Sequence, residues 1–301
     1  MSITKHLPRV KQLLPVLTAC YKKGDLGRIA VIGGSEEYTG APYFSAATLL
    51  KLGCDLAYVI CTKEAAPVIK SYSPELIVYP GLESKYFDMV VNRLDSIVIG
   101  PGLGRDEKIV SFLQYVFETI KGKDNIASVV IDADGIYFCQ KYPDLIRNNN
   151  KVILTPNCNE FERLYESLYP GKQLAKQDLK VAVSDVAKSL GITIMRKGVI
   201  DIVSDGHQTL TGEIGGCPRR CGGQGDLLSG SVAAFTFWAK INQTLHQDYS
   251  KQPFILDGAV AASDLIRHTA QVTFNDFGRS MTASDILKKI GDVIHGVDKS
   301  Q

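Results

Sequence analysis

Ser96-Ile-Val-Ile-Gly-Pro-Gly-Leu-Gly-Arg105 passes from a short apolar run directly into a glycine turn. Just downstream, Ile109, Phe112, Leu113, Val116, Phe117 and Ile120 recur three and four residues apart, the single apolar stripe of an amphipathic helix. A strand, a glycine turn and a helix in that order form half of a parallel crossover unit. The same grammar extends outward in both directions. Apolar runs occupy Arg28–Ile32, Asp55–Ile60, Leu76–Tyr79, Ser128–Ile131, Lys151–Leu154, Ile192–Met195 and Ile200–Val203. Most are continuously apolar rather than alternating, the composition of strands covered by helices on both faces. The expectation is an α/β chain: a single-domain three-layer αβα sandwich over residues 1–301 around a mainly parallel sheet.

The last third changes character. Asp226–Trp238 is apolar almost all round and predicts a buried helix, Gly258–Ile266 is alanine-rich and suits close helix packing, and Thr282-Ala-Ser-Asp285 opens a final helix with a capping-box pattern. Val10, Leu13, Leu14 and Leu17 have helical spacing, so the basic N-terminal stretch reads as an integral first helix, not a transit peptide.

The chain is 45% hydrophobic and 22% charged, which excludes disordered, collagen-like and disulfide-scaffold classes. Its 34 basic and 32 acidic residues leave a net charge of +2. So even a balance argues against a nucleic-acid or membrane-surface partner. No apolar run approaches the roughly 18 residues of a membrane span. Seven scattered cysteines, an odd number, point to a reducing compartment, with a cytoplasmic location expected over a mitochondrial one. Cys217 and Cys221 lack a second pair at zinc spacing.

In an open α/β sheet, ligands bind beyond the carboxyl ends of the strands. Five such ends share a composition here: Gly33-Gly34-Ser35, Gly100–Gly104, Asp132-Ala-Asp134-Gly135, Thr155–Glu160 and Arg196-Lys197-Gly198. Together they predict a long cleft lined by glycine backbone and polar side chains. Gly100-Pro-Gly102-Leu-Gly104 imitates a dinucleotide fingerprint, but its third glycine comes one position early and the unit lies mid-chain. It reads as a mobile or substrate-contacting turn. Neither a Walker A loop nor a G-x-S-x-G nucleophile elbow occurs.

The most specific element is Gly222-Gly223-Gln224-Gly225-Asp226, which leads straight into the apolar helix. Glycines let several N–H groups converge, and a helix start adds about half a positive charge, so the pair makes an anion hole suited to phosphate. A carboxylate at that edge costs binding energy unless it takes a proton from an attacking hydroxyl. A plain helix cap at Asp226 would not need the preceding glycines. A valine at 223 is expected to fill the anion hole.

These motifs resemble those of the ribokinase-like superfamily: the Gly-Gly-Gln-Gly-Asp226 element matches its anion-hole-plus-base signature, and Thr155-Pro-Asn157-Cys-Asn-Glu160 its Asn-x-x-Glu signature. Gly33–Pro42, Ser73-Pro-Glu-Leu76 and Ile99–Arg105 narrow the similarity to the eukaryotic branch of the ATP-dependent (S)-NAD(P)H-hydrate dehydratase family, over nearly the whole chain from about Leu7. The resemblance implies that the S epimer of hydrated NADH or NADPH (NADHX, NADPHX) is phosphorylated by ATP on its 6-hydroxyl and then loses phosphate. It further implies Asp226 as the base, and ATP along Lys197, Gly198, Val199, Ile200 and Asp201 and along Gly216, Cys217, Pro218, Arg219, Arg220, Cys221, Gly222, Gly223, Gln224 and Gly225. The hydrate would lie along Gly104, Asn157, Cys158, Asn159, Glu160, Phe161, Glu162 and Arg163, beside Asp226, with Glu160 a holder of Mg²⁺, directly or through water.

Bacterial relatives typically carry a His and a Gly in the segment that reads Asn157–Glu160 here, so ADP dependence does not carry over. The chain has no room for the fused epimerase domain of many relatives, which implies a separate epimerase and leaves a homo-oligomer open. A small-molecule kinase of the same superfamily, acting on hydroxymethylpyrimidine, pyridoxal or a sugar alcohol, is the alternative. Tyr38, Tyr43, Asp132 and Asp134 receive no step, and Arg219 and Arg220 serve equally well as phosphate contacts or as a solvated basic loop.

Overall fold

A computed structural model describes residues 7–245 and 253–299, and among these it places nine strands in one sheet. They are β1 (Arg28–Ile32), β2 (Leu56–Cys61), β3 (Ile77–Pro80), β4 (Ser96–Ile99), β5 (Ser128–Ile131), β6 (Val152–Leu154), β7 (Thr193–Arg196), β8 (Ile202–Ser204) and β9 (Thr209–Thr211). The spatial order is β3-β2-β1-β4-β5-β6-β7-β8-β9. Strands β1 to β7 pair in parallel, with Ile29 opposite both Ala57 and Ser96, and Ile97 opposite Val129. The expected strands fall within a residue or two of those observed. The antiparallel end was not foreseen: β8 folds back on β7 and β9 on β8.

The helices are α1 (Pro8–Leu13), α2 (Gly40–Leu52), α3 (Ala65–Tyr72), α4 (Ser84–Asp88), α5 (Ile109–Ile120), α6 (Asp134–Lys141), α7 (Cys158–Leu168), α8 (Leu179–Leu190), α9 (Gln224–Leu245), α10 (Phe254–Phe277) and α11 (Ala283–Asp298). Alternate strand residues feed two separate cores, as a period of two requires. Ile29, Val31, Val59, Val98, Val130, Ile153 and Met195 pack with α1, α2, α3, α9, α10 and α11. Ala30, Ile32, Ile60, Ile97, Ile99, Ile131 and Leu154 pack with α4 to α8. The result is the expected three-layer arrangement.

Helix α9 runs through the first core and fixes where its opening turn stands. Leu227, Val232, Phe235 and Trp238 are all buried. A Cβ on Gly230 would lie 2.3 Å from the Ser45 carbonyl of α2, and one on Gly258 of α10 only 2.7 Å from Thr236 Cα. Glycine thus lets both neighbours approach α9 at backbone distance. Beneath the helix, Ser128 Oγ lies 2.6 Å from Thr236 Oγ1 and 3.2 Å from Ser96 Oγ, pairing polar atoms inside the core.

The strand ends interlock by the same device. A Cβ on Gly100, at φ +120°, would meet the Asp132 carbonyl at 1.9 Å, and one on Gly33 the Pro101 carbonyl at 2.2 Å. The glycine composition of this edge therefore serves loop-to-loop packing. At the N-terminus, Val10, Leu13 and Leu14 are buried as expected, but Leu17 is 68% exposed. The helix stops at Leu13 because Pro15 disfavours helical backbone in Leu14, which is extended at ψ 122°.

Candidate active site

The carboxyl ends of β1, β4, β5, β6 and β7 lie side by side along one edge, so the five segments singled out from sequence form one continuous rim. Asp132 at the end of β5 stands between the Gly104 turn after β4 and the Asn157 and Lys197 segments after β6 and β7. Helix α9 begins above this centre. Gly223 takes the left-handed φ of +87°, which glycine adopts without strain, and its carbonyl accepts from Leu227 N–H at 3.1 Å. The N–H groups of Gly225 and Asp226, in the first turn, precede that bond and have no carbonyl of their own helix to meet.

Asp226 is half-buried, and its carboxyl is pushed up to about 7, first by burial and then by the charge of Asp132, with Lys197 opposing. Lys197 Nζ donates to Asp132 Oδ1 at 2.6 Å, and Thr155 Oγ1 donates to the same oxygen at 2.9 Å. Burial works against the Lys197 charge, but Asp132, Glu160 and Asp226 together hold its ammonium above the ordinary lysine value. A Cβ on Gly225 would lie 3.7 Å from both Asp132 Oδ2 and Lys197 Nζ. Gly223 faces elsewhere: its Cβ would meet Ala283 at 2.8 Å and Phe44 at 2.9 Å. The expectation that a side chain at 223 would fill the anion hole is therefore corrected: position 225, not 223, faces the charged centre.

A cavity of about 550 Å³ opens beside this turn, lined by Asn157, Cys158, Lys197, Gly198, Val199, Asp201, Arg220, Cys221, Gln224, Gly225, Leu228, Ser263, Ile266 and Arg267. Segments expected to divide between two ligands thus share one space at Asn157 and Cys158. Val199 (80% exposed) stands at its rim. Of the 216–221 segment, Cys217 is buried and donates its thiol to the Arg219 carbonyl at 3.2 Å, while Pro218, Arg220 and Gly222 are exposed.

Several expected residues sit in structural roles. The Asp201 carboxylate accepts from Ser263 Oγ at 2.7 Å, from Arg267 Nε at 3.0 Å and from Gly198 N–H at 2.9 Å, so it shapes the 197–201 turn from below. Asn157 Oδ1 accepts from Glu160 N–H at 3.0 Å while Glu160 Oε2 accepts from Asn157 N–H at 2.8 Å, a capping box that starts α7. Phe161 is wholly buried in the second core, whereas Asn159, Glu162 and Arg163 are exposed. Gly104, at φ +78°, donates its N–H to Asp134 Oδ2 at 3.1 Å, and Arg105 Nε donates to Asp134 Oδ1 at 2.9 Å. Asp134 therefore pins the glycine turn. Ser263 and Arg267 were missed from sequence, although Asp264 and Arg267 interrupt an alanine-rich helix, and charge inside an apolar stripe asks for a buried partner.

A mainly parallel three-layer sandwich with a glycine turn opening a buried helix beside a carboxylate is a ribokinase-like fold. The fold matches a ribokinase-like superfamily protein from Enterococcus faecalis with a TM-score of 0.78 at 21% identity, covering 96% of this chain and 94% of that one. It also matches the ADP/ATP-dependent NAD(P)H-hydrate dehydratase of Bacillus subtilis, co-crystallized with ATP/Mg²⁺, with a TM-score of 0.69 at 21% identity over 95% and 96% of the two chains. A sequence model of the NAD(P)H-hydrate dehydratase family matches residues 29–292. The mouse ATP-dependent (S)-NAD(P)H-hydrate dehydratase is 42% identical over 287 residues, 94% of this chain and 82% of the mouse protein. The chain belongs to the NAD(P)H-hydrate dehydratase family.

Proposed function

We propose that this chain catalyses the ATP-dependent dehydration of the S epimer of NADHX and NADPHX to NADH and NADPH, with ADP and phosphate as by-products. One observation carries the reading: Asp226, a carboxyl poised near neutrality, follows Gly225, whose backbone lines the cavity and faces Lys197 and Asp132. Family membership favours this activity over the small-molecule kinase, whose product would keep its phosphate.

The 6-hydroxyl of the hydrate is a poor leaving group. Asp226 takes its proton as the oxygen attacks the terminal phosphorus of ATP, and ADP departs. The N–H groups at the start of α9 meet charge on the transferring phosphoryl group, where such donors are worth about 3 kcal/mol each. The ring-nitrogen lone pair then expels phosphate, and loss of the C5 proton restores the dihydronicotinamide. Val199 and Ile200 offer an apolar rim for a base, and Arg220 a cation for phosphate. The hydrate fits the opposite side, between the Gly104 turn and Asn157.

Mg²⁺ usually takes one or two carboxylates, with phosphates and water completing its shell. Among the described residues no three Asp, Glu, His or Cys side chains converge on one point. Glu160, whose charge is felt at Lys197, would hold it from α7, directly or through water, and the ion would neutralise phosphate charge.

We further propose that the chain works as one ribokinase-like domain in metabolite repair in the cytoplasm, beside a separate epimerase. Among the described residues no helix is long and apolar enough to cross a membrane. The test is to give the protein NADPHX and ATP and follow the absorbance of the reduced nicotinamide. Its return, with one phosphate released per NADPH, supports the reading. A stable phosphorylated product would assign the kinase instead.

A further inference from the structure

Asp132 takes no part in the chemistry above, yet it sits at the centre of the rim with only 3% of its surface exposed. Its Oδ1 receives both Lys197 Nζ (2.6 Å) and Thr155 Oγ1 (2.9 Å), and Oδ2 points toward Gly225. Lys197 is held at its backbone too: its N–H donates to the Pro156 carbonyl at 2.8 Å, and its carbonyl accepts from Cys158 Sγ at 3.4 Å. The ammonium therefore has a defined place, 3.7 Å from where a Cβ on Gly225 would be. Removing a carboxylate and an ammonium from water is costly, and a buried pair is a weak source of stability. This one converges on the opening turn of the helix that carries Asp226.

We propose that Asp132 is a positioning residue: with Thr155 it holds the Lys197 ammonium at the first turn of α9, and its own charge governs how readily Asp226 accepts the substrate's proton. The inference rests on the reading of Asp226 as the base. Asp132 on β5 and Lys197 after β7 face Asp226, and Glu160 on α7 acts on Lys197. Asp132 makes Asp226 a stronger base, and Lys197 makes it a weaker one. A phosphate drawn to Lys197 takes up that cation's field and leaves the repulsion from Asp132 in force. Basicity at Asp226 thus increases as the nucleotide arrives.

The test is the pH dependence of kcat for the full chain with ATP and NADPHX, with a ¹³C carboxyl titration of Asp226 assigned through D226N. In Asp132→Asn the acid limb and the Asp226 titration both move down by about one pH unit, and in Lys197→Met both move up by about as much. A purely structural role would lower the melting temperature and kcat with the limb unmoved. If D226N is inactive while the limb stays in place in D132N and K197M, the inference is overturned and the base assignment stands. If D226N turns over near the wild-type rate, the base assignment itself fails. Should D132N not fold, K197M decides by its carboxyl titration: an upward move supports the inference, and an unchanged position overturns it.

Discussion

Arg267 grips Asp201 through both carboxylate oxygens, with Nε 3.0 Å from Oδ2 and a terminal nitrogen on Oδ1. The same guanidinium donates to the carbonyls of Val199 at 2.7 Å and Gly198 at 2.6 Å, so one side chain of α10 holds the whole turn that borders the cavity. Arg267→Lys keeps the charge but loses the planar fork. The turn should loosen, and the KM for ATP should increase by more than kcat falls. Arg267→Met leaves Asp201 buried without its cation, a loss of about 3–5 kcal/mol, read as a lower denaturation midpoint.

Asp226 supports a prediction with opposite signs for activity and stability. As the proposed base it must be deprotonated, so kcat/KM, which reports the free enzyme, should rise with pH through about 7 and level off above it. Its folded pKa is raised above the ordinary value near 3.8, so the folded state holds the proton more tightly than the unfolded chain. The contribution of Asp226 to stability is therefore full below the unfolded pKa and is lost as pH climbs through about 7. Asp226→Asn should lose roughly 10²–10⁴-fold in turnover, keep ATP binding, and melt at a higher temperature than wild type above neutral pH. Paired pH–rate and pH–melting curves check both halves.

Gly225 and Gly223 should fail in different ways. Gly225→Ala puts a methyl 3.7 Å from Asp132 Oδ2 and Lys197 Nζ, an ordinary contact within the first turn of a helix. Stability should hold or improve by up to about 1 kcal/mol, since alanine is the better helix former, while kcat falls because the methyl occupies space beside the proposed phosphoryl site. Gly223→Val forces a branched residue to φ +87° and drives it into Phe44 and Ala283. That variant should melt lower and lose the stabilisation that ATP confers. Melting curves with and without ATP separate the two.

How much of this was legible depended on the range of the physics. Arg28–Ile32, Ser96–Ile99 and Ser128–Ile131 were read to the residue, because a continuous apolar run ending sharply in glycine or aspartate leaves little choice. Thr209-Leu-Thr211 is three half-buried residues, too short for a periodic signal, and it forms a strand only because β8 offers an edge. At the site, Asp226 was singled out because glycines and a helix start are local. The contacts of Asp132 were not legible, because they reach Lys197, 65 residues away in sequence, and Thr155, 23 away. The mistake at Gly223 has the same origin: the direction of an absent side chain is settled by α2 and α11, far along the chain.

Glu160 separates a capping role from a metal role. Glu160→Gln keeps a side-chain oxygen able to accept from Asn157 N–H, now 2.8 Å from Oε2, so the start of α7 should survive with a melting temperature close to wild type. What disappears is the charge. If this carboxylate helps hold Mg²⁺, the concentration of Mg²⁺ that gives half-maximal turnover should increase severalfold, with kcat at saturating Mg²⁺ largely restored. The loss of charge also relieves part of the field that favours the Lys197 ammonium, which should then be easier to deprotonate. A Mg²⁺ titration at fixed ATP is the check, and an unchanged midpoint in a well-folded variant would confine Glu160 to its cap.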